Sequence, residues 1–164
     1  MSAPLTADQR RALLSHPAGW IVTALGAGLS PIGPGTAGSL VALLPWWFLL
    51  RGLPTAWYFA VVAAGFLLGV WACGVCDRRL ALHDQGALVW DEVIGMWITL
   101  LAAPREWWWM LIGFALFRLF DIWKPPPIRQ LDAALKNGVG VMLDDLLAAA
   151  YTLLVFALWQ RFFG

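Results

Sequence analysis

The stretch VWDEVIGMWITLLAAP, residues 89–104, decides how this chain is read. It sets an adjacent acid pair, Asp91 and Glu92, at the mouth of an apolar run. Moving a carboxylate into a poorly hydrated place costs several kcal/mol even after relaxation, unless a cation or hydrogen bonds compensate. The pair therefore implies a compensating partner, and the rest of the chain indicates its nature.

Working outward, the apolar character is general. Of 164 residues, 61% are hydrophobic and 13% charged, and 12 are Trp. A soluble domain averages about 45–50% apolar and about 25% charged residues. The length suits one domain with one packed core. The expectation is an all-α, polytopic integral membrane helical bundle with short or broken helices, residues 1–164 forming a single membrane-embedded domain. The net charge of +1 and the scattered basic residues exclude a nucleic-acid partner. Cys73 and Cys76 spell C-x-x-C inside an apolar run, where small thiols read as helix packing rather than a redox pair. The N-terminus lacks an uninterrupted apolar segment, so no cleaved signal peptide is expected. Thr6 to Gln9 instead fits a capping box, and within residues 1–18 a short cytoplasmic surface helix is expected over Ala7–Ser15.

WYFAVVAAGFLLGVWACGVC, residues 57–76, is the clearest span, since about 20 residues at about 1.5 Å each cover the ~30 Å hydrocarbon core. A second span runs from Leu146 to about Phe163. VIGMWITLLAAP and WWWMLIGFALF are shorter and are separated by Pro104, Arg105 and Glu106. They read as a helical hairpin or a re-entrant pair. LVALLPWWFLL is another short apolar piece, and GWIVTALGAGL reads as a partial or interfacial helix. Arg10, Arg11, Arg78, Arg79, Lys124, Arg129 and Lys136 fall on one side of this topology, with Arg118 at its edge. Arg51, Arg105 and Arg161 fall on the other, so the first group is expected in the cytoplasm. Trp46, Trp47, Trp57, Trp107, Trp108, Trp109 and Trp159 map to the sparsely charged side, where an interfacial aromatic belt belongs. Asp77, Asp84, Asp91, Glu92, Asp121, Asp132, Asp144 and Asp145 all sort to the cytoplasmic side, while Glu106 does not. Acids contribute little to orientation, so the asymmetry marks a site.

Four segments converge on that side. In GLSPIGPGTAGS, Gly33, Gly35 and Gly38 satisfy G-x-G-x-x-G, but no strand precedes them and a dinucleotide fold is excluded. The segment is a turn that lets backbone approach a ligand or another helix, with Thr36 and Ser39 at a helix N-terminus that favours phosphate. In DRRLALHDQGALVWDE, Asp91 and Glu92 occupy a first helical turn, where the macrodipole favours anions. His83 and Asp84 are loop residues there, and His83 suits support of a bound group better than general acid work. In FRLFDIWKPPPIRQLD, Arg118 and Asp121 share a helix face. Lys124 follows, and Pro125–Pro127 stop the helix and set an extended exit. In NGVGVMLDDLLAAA, Gly138 and Gly140 permit close approach, and Asp144–Asp145 open the last helix. Neighbours on a helix point about 100° apart, so one aspartate can face a site while the other braces it. Hard carboxylate oxygens suit Mg²⁺, and the basic residues suit a phosphate, together describing action on a phosphorylated headgroup.

These segments, LSPIGPGTAGS, HDQGALVWDEVIGMWITL, FRLFDIWKPPPIRQLD and GVGVMLDD, resemble the phosphatidylglycerophosphatase A family from about Gly28 to the last helix. The resemblance implies a Mg²⁺-dependent lipid phosphatase of the bacterial inner membrane, multi-pass, with its active site facing the cytoplasm. Its substrate would be phosphatidylglycerophosphate, cleaved to phosphatidylglycerol and phosphate. Joined to the reading of the residues, it makes Glu92, Asp121, Asp144 and Asp145 the expected catalytic and metal-ligating set, with Asp91 beside them. Thr36, Ser39, Arg118, Lys124 and His83 are then the expected substrate contacts. A CDP-alcohol phosphotransferase would need a D-x₂-D-G-x₂-A-R run that this chain lacks. A small cation transporter would place its acids near the bilayer midplane rather than gathered at one lip. A purely structural subunit leaves the acid asymmetry unexplained.

Overall fold

The computed structural model describes residues 5–80, 86–104, 106–130 and 138–163, and among them α-helices and short 3-10 turns occur without a strand. Thr6 caps α1 (Ala7–Leu14) through the expected box: its Oγ1 accepts the Gln9 N–H at 3.2 Å, and Gln9 Oε1 accepts the Thr6 N–H at 2.9 Å. α1 and α2 (Pro17–Val22) pack on the far end of α4 (Thr55–Leu80), where Leu13, Ala18 and Val22 meet Ala72, Cys73, Cys76 and Leu88. Both cysteines are free and buried there, as packing residues.

α2 ends sooner than its apolar run suggests. The chain leaves it through Ala24, Leu25 and Gly26 at positive φ (47°, 58° and 96°), a conformation that side chains resist. Thr23 pins this turn: fully buried, it donates to the Gly19 carbonyl at 2.7 Å and accepts the Gly26 N–H at 3.1 Å. The Val89 N–H donates to the Val22 carbonyl at 2.7 Å, which ties the same turn to the start of α5 (Trp90–Leu100). α3 (Pro34–Phe48) begins inside the Gly/Pro segment and is longer than the apolar piece alone. Gly33, at φ 54°, turns into it and Pro34 takes the first helical position, where its missing N–H costs nothing.

Two helices have the length and apolarity to cross a membrane, over Thr55–Arg79 in α4 and Met142–Phe162 in α7 (Gly138–Phe163). Their apolar windows are only 28% and 39% buried, whereas the core helix of a soluble domain would be mostly covered. Trp57, Phe59, Leu67, Leu154 and Leu158 lie exposed along them; an apolar surface this continuous calls for lipid rather than water, so the protein associates with a membrane. The helical fold class matches expectation, but the described helices do not make a full set of spans. α5 has 11 residues, about 16 Å at 1.5 Å per residue, roughly half the hydrocarbon core. It turns at Leu101–Pro104 into α6 (Trp107–Trp123) as a hairpin.

α5 is nonetheless the centre of the packing. Val93, Ile94, Met96, Trp97 and Leu100 meet Ala42 and Leu43 of α3, Phe117 of α6, and Ala148 and Ala149 of α7. Its Trp side chains use their N–H groups on neighbouring backbones, Trp90 on the Gly65 carbonyl at 2.9 Å and Trp97 on the Ala42 carbonyl at 3.0 Å. Trp46 corrects the aromatic-belt reading, because it is 2% exposed and belongs to this core, while Trp57, Trp107, Trp108 and Trp159 are exposed. A methyl group on Gly95 would sit 2.7 Å from Phe117 ring carbons and 3.2 Å from the Asp145 carbonyl oxygen. Gly95→Ala is therefore expected to destabilise the fold by about 1–3 kcal/mol, the usual cost of overpacking, read as a lower unfolding temperature in detergent.

Candidate functional site

The ends of four helices meet at one end of the bundle. α5 contributes Asp91 and Glu92 in its first turn, facing the positive end of its own dipole. α6 contributes Arg118 and Asp121 near its last turn, then Lys124, which ends the helix at φ 47°. α7 contributes Asp144 and Asp145. α3 enters backbone first: a Cβ on Gly35 would collide with Glu92 Oε1 and lie 3.1 Å from Arg118 Nη1.

Asp91, Glu92 and Asp145 bring carboxylate oxygens within 4.8 Å of one another. Arg118 Nη1 lies 2.7 Å from Asp121 Oδ2 and 3.8 Å from Glu92 Oε1. Lys124 Nζ donates to Asp144 Oδ2 at 2.6 Å. Among the described residues, five carboxylates thus face two cations. Asp91 Oδ1, Glu92 Oε2 and Asp145 Oδ2 are buried without a hydrogen-bond partner, and such atoms carry the full penalty of lost solvation. At the mouth of α5, outside the two spanning helices, burial and then the charges of Glu92 and Asp145 push the Asp91 carboxyl well above the usual carboxylate range. Burial also raises Glu92, with Asp121 adding to the rise and Arg118 opposing it. A cation among these oxygens would relieve both the repulsion and the lost hydration, and an all-oxygen donor set suits a hard divalent ion.

The structure sorts the expected residues. Asp91 joins Glu92 and Asp145 in the tight trio, while Asp121 and Asp144 are engaged by Arg118 and Lys124. Thr36 follows Gly35 in the first turn of α3. Ser39 is fully buried and donates to the Gly35 carbonyl at 2.9 Å, so its hydroxyl serves its own helix. His83, Asp84, Asp132, Lys136 and Arg105 lie outside the described residues. The exit at Pro125–Pro127 is a turn rather than an extended path, with the Ile128 N–H on the Pro125 carbonyl at 2.8 Å and the Gln130 N–H on the Pro127 carbonyl at 3.1 Å. The buried Ile128 side chain anchors it against the core.

One positioning residue escapes motif reasoning. Tyr151 donates its hydroxyl to the Pro126 carbonyl, and its ring lies 5.3 Å from that of Phe120. It thereby holds both sides of the turn that aims Lys124 at Asp144. Its only sequence signal is its place seven residues after Asp144, on the same helix face. Tyr151→Phe removes a bond worth about 1 kcal/mol, a factor of about five in equilibrium. The expected result is about fivefold faster acylation of the Lys124 amine, followed by peptide mass spectrometry; unchanged labelling of folded protein would remove the clamp.

A sequence model of the family described as Phosphatidylglycerophosphatase A matches residues 20–160. Phosphatidylglycerophosphatase A of Escherichia coli strain K12 is 46% identical over 139 residues, 84% of this chain and 80% of that protein. The Haemophilus influenzae protein of the same name is 43% identical over 143 residues, 87% of this chain and 88% of that one. A Bacteroides thetaiotaomicron protein, provisionally named a phosphatidylinositol-3-phosphatase, is 41% identical over 151 residues, 88% of this chain and 94% of its own length. No solved structure matches the chain.

Proposed function

The chain belongs to the phosphatidylglycerophosphatase A family, and from that membership we propose that it hydrolyses the terminal phosphomonoester of phosphatidylglycerophosphate in phospholipid biosynthesis. The observation that carries the site assignment is the trio Asp91, Glu92 and Asp145, each with a buried oxygen lacking a partner, beside Arg118 and Lys124.

In this reading Asp91, Glu92 and Asp145 would hold Mg²⁺, and Asp121 and Asp144 would add negative charge nearby. When bound, the ion supplies Lewis-acid neutralisation of the phosphoryl oxygens and lowers the pKa of water. The chain's own residues do the positioning. Asp121 holds Arg118 and Asp144 holds Lys124, so both cations stand ready for the phosphate before substrate arrives. The first turn of α3, at Gly35 and Thr36, presents backbone N–H groups of the kind that bind phosphate. The bond from phosphorus to the glycerol oxygen breaks, that oxygen leaves with a proton, and water supplies the new oxygen on phosphorus, either directly or by hydrolysis of an aspartyl-phosphate. In a loose transition state, charge placement and alignment provide most of the acceleration. The acids sit in the opening turns of α5 and α7, which suits a headgroup at the membrane lip rather than an ion path through the midplane. The proposed setting is the bacterial inner membrane, multi-pass, with this lip in the cytoplasm.

The test is phosphate release in detergent micelles with Mg²⁺ or EDTA, from phosphatidylglycerophosphate, phosphatidic acid and phosphatidylinositol 3-phosphate. Release from the first lipid that EDTA abolishes is the expected outcome. Preferred release from phosphatidylinositol 3-phosphate would overturn the substrate, and release that survives EDTA would overturn the ion. Asp145→Asn and Asp121→Asn are each expected to lower kcat at least about a hundredfold, on the scale of disturbed metal coordination, with the helical circular dichroism retained.

A further inference from the structure

A cavity with a different lining lies on the side of α4 that faces the α1–α2 hairpin. Between the α1–α2 hairpin and the last turns of α4 is a cavity of about 400 Å³, lined by Leu13, Ser15, His16, Val75, Cys76 and Arg79. Among the described residues it shares no lining residue with the acidic site, and no carboxylate lines it. Its size and its mostly apolar wall with a few polar groups are those of a ligand pocket.

The Ser15 hydroxyl is spent on the Ala12 carbonyl at 2.7 Å, which leaves His16 and Arg79 as the polar side chains that can donate. His16 Nδ1 accepts the Ala18 N–H at 3.1 Å as the cap of α2. With that nitrogen used as an acceptor, the ring proton resides on Nε2, which is left as a donor. Arg79 is exposed, and no ion pair engages it among the described residues. This contrasts with the acidic site, where both cations are already paired. A guanidinium fork matches phosphate oxygens in geometry and charge. Position supplies the rest of the ligand: Arg79 ends the stretch of α4 that is long and apolar enough to cross a membrane, and a span ending there would put it at headgroup depth. The half-buried Val75 lies beside it, backed by the buried Leu13 and Cys76.

We propose that this cavity binds the phosphodiester headgroup of an anionic phospholipid, apart from the acidic site. Arg79 and His16 hold the phosphate at the cavity, with the half-buried Val75 beside it. Such a site would hold the α1–α2 hairpin against α4 when the surrounding lipid is anionic.

The experiment counts lipids on the full chain in neutral detergent by native mass spectrometry, as phosphatidylglycerol is titrated in. Phosphatidylcholine and inorganic phosphate serve as alternative probes. Wild type is expected to bind one phosphatidylglycerol that Arg79→Gln binds about tenfold more weakly, the scale of a charged hydrogen bond. Arg79→Lys should recover part of that affinity. His16→Asn keeps a capping oxygen for α2 but withdraws the ring donor, so it should weaken binding by a smaller factor. Lys124→Gln, at the acidic site, should leave this lipid in place. The proposal is overturned if Arg79→Gln binds like wild type, or if phosphatidylcholine binds equally. It is also overturned if Lys124→Gln removes the lipid, or if inorganic phosphate binds as tightly as the lipid does. Phosphate release by wild type in the same preparation is scored separately, so failure of the catalytic reading leaves the lipid count decisive here.

Discussion

Carboxylates that cannot be fully hydrated must be compensated, and much of this structure follows from that requirement. Asp91, Glu92 and Asp145 gather within 4.8 Å with an unpartnered buried oxygen on each. Among the described residues the nearby cations are already engaged, Arg118 between Asp121 and Glu92 and Lys124 with Asp144. Such a group of acids is relieved either by taking up protons, the direction in which burial pushes Asp91 and Glu92, or by the cation proposed above. Phosphate esters bind such a cation, which joins the electrostatics to the proposed hydrolysis.

Bringing those groups together requires helices that start and stop at one end of the bundle, and small residues where they converge. α5 is too short to cross a bilayer, yet it touches α3, α6 and α7 through its buried face. Gly35 admits the Glu92 carboxylate beside α3, Gly38 admits Val89, and Gly95 admits the Phe117 ring. A side chain at any of these positions would separate helices whose ends carry the site. The same logic explains the strained turn at Ala24–Gly26, because the hydrogen bond from Val89 to Val22 fixes the start of α5 against it.

α4 separates two electrostatic settings. Toward α5 lies the acid-rich site, and toward the α1–α2 hairpin lies a cavity lined by donors and apolar groups. A lipid phosphatase has use for both kinds of contact, since its substrate and its solvent carry the same headgroup chemistry.

By itself the sequence determined the helical class, the two long apolar helices, the capping box at Thr6, and the acids that share one end. All of these follow from local periodicity, residue type and order along the chain, which need no knowledge of neighbours. The order of four motif segments also carried the family. Tertiary structure alone decided which carboxylates touch. Asp91 outranks Asp121 and Asp144 in the tight trio because α7 packs on α5 at Gly95, a contact between residues about fifty positions apart that no local pattern encodes. It likewise decided that Trp46 is core, that the Ser39 hydroxyl serves its own helix, and that Tyr151 clamps the proline turn. Each depends on which helix face meets which neighbour, and that is set by packing between distant segments.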